Sequence, residues 1–151
     1  MYVVLVDDEP ADIRRMSVCV PATSFQRIES YTKPEELRAL LLDVKEGRKP
    51  EPALILLDMK IGQDGEAGLK MLREVREAIP HMPVIIVSGS KLHTVIVESY
   101  KQGAVSYIHK SQREGVFEHR ISEMFVYFSA HTKIPATADL PDPPEAPLDA
   151  A

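Results

Sequence analysis

The strongest constraint on the fold of this chain is a set of short, uninterrupted apolar runs, each ending abruptly at polar residues. Tyr2-Val3-Val4-Leu5-Val6 stops at Asp7-Asp8, and Ala53-Leu54-Ile55-Leu56-Leu57 stops at Asp58. Val84-Ile85-Ile86-Val87 stops at Ser88-Gly89-Ser90, and a weaker run from Ala104 to Ile108 stops at His109-Lys110. A run with no polar alternation suits a strand covered on both faces, as in the middle of a parallel sheet. A fifth strand, the least marked, is expected over Phe25 to Ser30.

Helical patterns fill the gaps. Residues 9–19 read as a short first helix limited by Pro21. Thr32 and Glu35 have the T-x-x-E spacing of a capping box, and Gly47 offers a stop. Leu69, Leu72, Val75 and Ile79 form one stripe of a third helix that Pro80 helps to end. Thr94 to Gln102 is a fourth helix, ending at Gly103, and residues 112–129 are a fifth. Strict alternation of strand and helix predicts an α/β domain with a doubly wound, five-stranded parallel sheet covered on both faces.

Composition narrows the function. The chain has 151 residues and a net charge of −5, with no basic stripe, which argues against nucleic acid binding by this chain. No apolar run reaches membrane-spanning length, and the N-terminus has no leader-like pattern. The single cysteine, Cys19, cannot form an internal disulfide, which suits the cytoplasm, the expected localisation. The five histidines lack metal-ligand spacing, and no phosphate-binding glycine motif is present. From residue 131 the last 21 residues hold five prolines, five alanines and four acids. The expected organisation is therefore a domain over 1–129 and a Pro/Ala-rich acidic tail or linker over 130–151.

Doubly wound sheets carry their chemistry at the carboxyl ends of the strands. There this sequence places Asp7, Asp8, Asp58, Ser88 and Lys110. Three neighbouring carboxylates repel one another, and a divalent cation relieves that conflict. Mg²⁺ suits such an oxygen site. A carboxylate can attack phosphorus to give an acyl phosphate, and Lys110 and Ser88 can neutralise and hydrogen-bond the transferred group.

Together, Val3-Val4-Leu5-Val6-Asp7-Asp8-Glu9-Pro10, Leu54-Ile55-Leu56-Leu57-Asp58, Pro83 to Gly89 and Gly103 to Lys110 resemble the signature of response-regulator receiver domains of two-component signalling. The resemblance covers about residues 1–129. It implies a flavodoxin-like sheet of order 2-1-3-4-5, with Asp58 accepting phosphate from a histidine kinase or a histidine phosphotransfer protein. It implies Mg²⁺ held by Asp7, Asp8, Asp58 and the backbone carbonyl of Lys60. Lys110 would pair with the phosphoryl oxygens, while Ser88 and Tyr107 would act as switch residues. The output would be a shift of the face made by the fourth helix, fifth strand and fifth helix. On this reading the chain is no enzyme beyond its own phosphorylation and dephosphorylation.

The sequence departs from the usual pattern of that family at several positions. Gly62 and Ser111 stand where prolines are common, so the usual cis peptide after the lysine is in question. The loop from Asp58 to Gly68 is about two residues longer than usual, and Gly62 to Ala67 are expected to be mobile. The resemblance implies that Lys60 and Ser90 occupy positions that tune phosphate loss, and Lys60 is expected to pair with the phosphate and slow it.

Two further points remain open at the level of sequence. Ile121, Met124, Phe125 and Phe128, extended by Phe117, form the buried stripe of the last helix. Val126 and Tyr127 are left over, either packed under the tail or partly exposed, or else forming a contact surface for a homodimer or partner. A phosphatase of the haloacid-dehalogenase type uses similar groups, but with its nucleophile at the end of the first strand and its acidic pair late. Here the acidic pair comes first.

Overall fold

The structure is a computed structural model that describes residues 1–61 and 67–131, the last two without their side chains. Residues 62–66, which include most of the loop expected to be mobile, and the tail from 132 lie outside the described residues.

Among the described residues five strands and five α-helices alternate: β1 (Tyr2–Val6), α1 (Pro10–Ser17), β2 (Arg27–Tyr31), α2 (Pro34–Lys45), β3 (Leu54–Leu57), α3 (Ala67–Ala78), β4 (Val84–Ser88), α4 (His93–Lys101), β5 (Ser106–His109) and α5 (Val116–Val126). A π-helical turn, Tyr127–His131, continues α5. The strands form one parallel sheet in the order β2-β1-β3-β4-β5, so the chain reverses direction across the sheet between β1 and β3. None of the described helices is long and apolar enough to cross a membrane.

The apolar runs form strands because successive side chains can be buried on opposite faces. On one face Val4, Val6, Ile55, Leu57 and Ile86 meet the apolar stripes of α2 and α3. On the other, Val3, Leu5, Leu56, Ile85 and Val87 meet Met16 of α1 and Phe117, Ile121 and Phe125 of α5. Phe25 stacks edge-on against Phe125, with ring centroids 5.5 Å apart. Burial of such residues supplies about 1.5–3 kcal/mol each before conformational entropy is charged.

Local boundaries differ from the sequence expectation where a stronger local rule acts. The cap of α2 sits one residue later than T-x-x-E suggests. Pro34 occupies the first helical turn, so Glu36 rather than Glu35 reaches back to accept from the backbone N–H groups of Thr32 and Lys33, both at 3.1 Å. α5 begins at Val116, not at 112, because Gly115 adopts φ +76° immediately before it. β2 is an edge strand with a mostly exposed or half-buried pattern, which explains its weak apolar signal.

Candidate functional site

The ladder that builds the sheet also fixes the polar residues at its carboxyl edge. The Asp7 N–H donates to the Tyr31 carbonyl at 3.0 Å and the Asp58 N–H to the Val6 carbonyl at 2.9 Å. The Lys110 N–H donates to the Ser88 carbonyl at 2.8 Å. Each residue therefore sits at, or one step beyond, the end of a paired strand, with its backbone held by the neighbouring strand. Three of the loops that carry them belong to central strands, so the side chains converge.

Asp7, Asp8 and Asp58 offer carboxylate oxygens that all lie within 4.8 Å of one another. Asp7 is 0% exposed and Asp58 4%, while Asp8 faces solvent. Among the described residues no other group of acids, histidines or cysteines clusters this way. The Glu9 N–H donates to Asp7 Oδ1 at 2.9 Å, and the Lys60 N–H to Asp58 Oδ1 at 3.2 Å. The Lys60 backbone thus lies beside Asp58, and its side chain is exposed.

Lys110 reaches into this cluster. Its Nζ lies 2.7 Å from Asp7 Oδ2, 3.0 Å from Asp12 Oδ2 and 3.6 Å from Asp58 Oδ2. Burial chiefly pushes the Asp7 carboxyl up to about 6; the Asp58 charge adds to this and Lys110 opposes it. Burial also raises Asp58, against the pull of Lys110 and the Lys60 N–H. For Lys110, burial works against the ammonium, but the bonds and charges of Asp7, Asp58 and Asp12 outweigh it and push the group up to about 12.

One ammonium shared among so many acids leaves negative charge in a desolvated pocket. Burial chiefly, with the neighbouring acids adding, raises the Asp7 and Asp58 carboxyls, and a divalent cation would favour their ionised forms. Three convergent oxygen donors, two of them buried, fit a hard cation such as Mg²⁺, with Asp7, Asp8 and Asp58 as the side-chain ligands.

Ser88 and Tyr107 are linked through a third residue. Ser88 is fully buried, and its Oγ accepts from the Ser90 N–H at 3.2 Å. The Ser90 carbonyl accepts from the Tyr107 hydroxyl at 2.9 Å. No cis peptide occurs among the described residues, so the bond from Lys110 to Ser111 is trans.

Sequence reasoning missed Asp12. It lies in the first turn of α1, which starts at once after the acidic pair because Glu9 caps it and Pro10 opens it. That early start turns Asp12 back over the sheet edge. Its signal was the spacing of an acid four residues after Asp8. A hollow of about 830 Å³ beside Lys110 also went unnoticed; it is lined by Lys91, His109, Arg113 and Arg120 and has no acid in its wall.

Val126 and Tyr127 stand 52% and 55% exposed, while Phe117, Ile121, Met124 and Phe125 are buried. Cys19 is half-buried at the edge of the core, its Sγ 3.3 Å from the Arg15 carbonyl.

Comparison with known proteins gives concordant matches. A family model described as the response regulator receiver domain matches residues 3–122. The alginate biosynthesis transcriptional regulatory protein AlgB of Pseudomonas aeruginosa is 29% identical over 108 residues, covering 72% of this chain and 22% of that protein. The chain thus spans about a fifth of the curated relative it matches. Among solved structures, the phosphorylated cyanobacterial phytochrome response regulator RcpA superposes with a TM-score of 0.80 at 23% identity, covering 89% of this chain and 98% of that one. A response regulator receiver domain from Rhodospirillum rubrum gives 0.75 at 26%, covering 90% and 98%. The Mn²⁺-bound form of response regulator Rcp1 gives 0.74 at 20%, covering 90% and 100%.

Proposed function

The chain belongs to the response regulator receiver domain family, and from that premise we propose that it is a phosphorylation switch whose acceptor is Asp58. The observation that carries this reading is the convergence of Asp58 with two further acids and Lys110 at the sheet edge. Receiver domains of two-component systems take their phosphoryl group from histidine kinases or phosphotransfer proteins, and such a protein is the proposed donor here.

The chain's own residues divide the work as follows. A carboxylate oxygen of Asp58 forms the new bond to phosphorus as the bond to the donor nitrogen breaks, and the imidazole leaves with the electron pair. The Lys60 N–H holds the other oxygen and so orients the attacking carboxylate. Lys110 Nζ, 3.6 Å from Asp58, offers positive charge to the phosphoryl oxygens. The basic wall of the adjoining hollow favours the approach of an anionic donor. A bound Mg²⁺, held by Asp7, Asp8, Asp58 and the Lys60 carbonyl, would neutralise charge on the acceptor and the transferred group. The Mn²⁺-bound and phosphorylated forms of two proteins of this fold agree with this chemistry.

The switch would run through Ser88. If its hydroxyl turns to donate to the phosphate, it releases the Ser90 N–H, and Ser90 in turn holds Tyr107. The face of α4, β5 and α5 then becomes the output. The domain would work in the cytoplasm and turn over no substrate beyond its own phosphate. Exposed Val126 and Tyr127 at the end of α5 favour a homodimer through this helix. A sedimentation profile that stays monomeric at high concentration, with and without phosphate, would remove that part.

The acyl phosphate itself is testable by its lability. After incubation with acetyl phosphate and Mg²⁺, the added group should be lost in neutral hydroxylamine. A modification that survives hydroxylamine would place the phosphate on a hydroxyl and overturn the reading.

A further inference from the structure

Lys110 has three N–H donors and three carboxylates around it. The two short contacts, to Asp7 and Asp12, lie at 2.7 and 3.0 Å, and the longest, at 3.6 Å, is to the acceptor Asp58. Asp7 belongs to the cation cluster. Asp12 is not one of the three acids of that cluster.

Asp12 is also held firmly from its other side. Its Oδ1 lies 3.3 Å from Arg15 Nη1, and Arg15 Nε lies 2.7 Å from Glu118 Oε1 in the first turn of α5. The Arg15 guanidinium covers the ring of buried Phe117, 4.6 Å from its centroid. A chain of charges thus runs from the acceptor pocket through Lys110, Asp12 and Arg15 to α5.

We propose that Asp12 is a positioning residue for phosphorylation, a tether that holds the Lys110 ammonium back from Asp58. The inference rests on Asp58 being the acceptor. A phosphoryl group arriving at Asp58 needs the ammonium on its own oxygens, and Lys110 must loosen from Asp12 to supply it. The tether therefore lowers the energy of the resting state more than that of the phosphorylating one, which slows uptake. Arg15, fixed by Glu118 and Phe117, keeps Asp12 aimed at Lys110 and ties the tether to the seam between α1 and α5.

The test is the rate of phosphate uptake from acetyl phosphate with saturating Mg²⁺. Asp12→Asn keeps the shape and removes the charge; it should be about threefold faster than wild type or more, the scale of one partly exposed ion pair. Asp12→Glu should return the rate toward wild type. In a Lys110→Ala background, Asp12→Asn should change nothing, because the effect passes through the ammonium. That last result separates positioning from a general loosening of α1, which would act in both backgrounds. An Asp12→Asn rate equal to or below wild type overturns the inference, as does an equal gain without Lys110. A wild-type protein that takes up no phosphate overturns the acceptor reading as well, so the two failures are distinct.

Discussion

The hydroxyl of Tyr107 in β5 donates a 2.9 Å hydrogen bond to the backbone carbonyl of Ser90, two residues beyond Ser88. The same Ser90 donates its N–H to the Ser88 hydroxyl at 3.2 Å. A change at the buried serine therefore has a direct mechanical route to an aromatic ring on the proposed output face. Tyr107→Phe keeps the ring and cuts the route, at a stability cost of about 1 kcal/mol. This variant should still take up phosphate. Its backbone amide shifts in β5 and α5, followed by NMR on phosphorylation, should be clearly smaller than in wild type. Shift changes of undiminished size would show that the coupling runs elsewhere.

Lys60 lies beside the proposed acceptor, with its N–H on Asp58 and its side chain in solvent. A flexible ammonium there can pair with an acyl phosphate and shield it from water. Lys60→Ala should shorten the lifetime of the phosphorylated form by about twofold to fivefold, the range of an exposed ion pair. The decay of phosphoprotein after removal of the donor measures it. An unchanged half-life would eliminate Lys60 as a brake.

Gly68, in the first turn of α3, packs directly on the backbone that follows Asp58. A Cβ at this position would lie 2.4 Å from Met59 Cα and 2.5 Å from its carbonyl oxygen, closer than any relaxed contact. Backbone cannot swing aside as a side chain can, so Gly68→Ala should cost about 1–3 kcal/mol, read from the urea midpoint. The same push should displace Asp58, next to Met59, and slow phosphate uptake as well. An alanine variant of wild-type stability would mean that α3 can shift outward freely.

Asp7 carries a pH signature. Burial, with the Asp58 charge, lifts its carboxyl from an ordinary 3.8 to about 6. Between those values the folded protein holds a proton that the unfolded chain has released. The metal-free domain therefore gains stability through this group as pH falls from about 6 toward 4, and loses that contribution as pH rises through 6. Cation binding has the opposite sense, because Mg²⁺ must displace that proton. Calorimetric titration should show Mg²⁺ affinity falling from pH 7.5 to 5.5. Equal affinity at both would mean that Asp7 stays ionised without metal.

The order of elements and the sheet-edge acids could be read from sequence because both rest on local pattern. An uninterrupted run such as Leu54-Ile55-Leu56-Leu57 has few fates other than a strand buried on two faces, and Asp58 must then emerge at its end. Contacts set by three-dimensional approach were harder to see. Asp12 belongs to no motif, and nothing in the order of residues shows that the first turn of α1 brings it within 3.0 Å of Lys110, which is 98 residues away. The basic hollow gathers residues from two loops, the end of β5 and α5, with no shared motif. The shift of the α2 cap from Thr32 to Lys33 is a competition between two adjacent signals, and the proline decides it. For Val126 and Tyr127, sequence correctly left them off the buried stripe but could not tell cover from exposure; they are exposed.

The central claim is that Asp58, and no other residue, takes the phosphoryl group. Intact mass after incubation with acetyl phosphate and Mg²⁺, for wild type and Asp58→Asn, tests it most directly. A gain of one phosphoryl group, about 80 Da, in wild type and none in the variant is the predicted result. The same gain in Asp58→Asn would place the phosphate on another side chain and contradict the account.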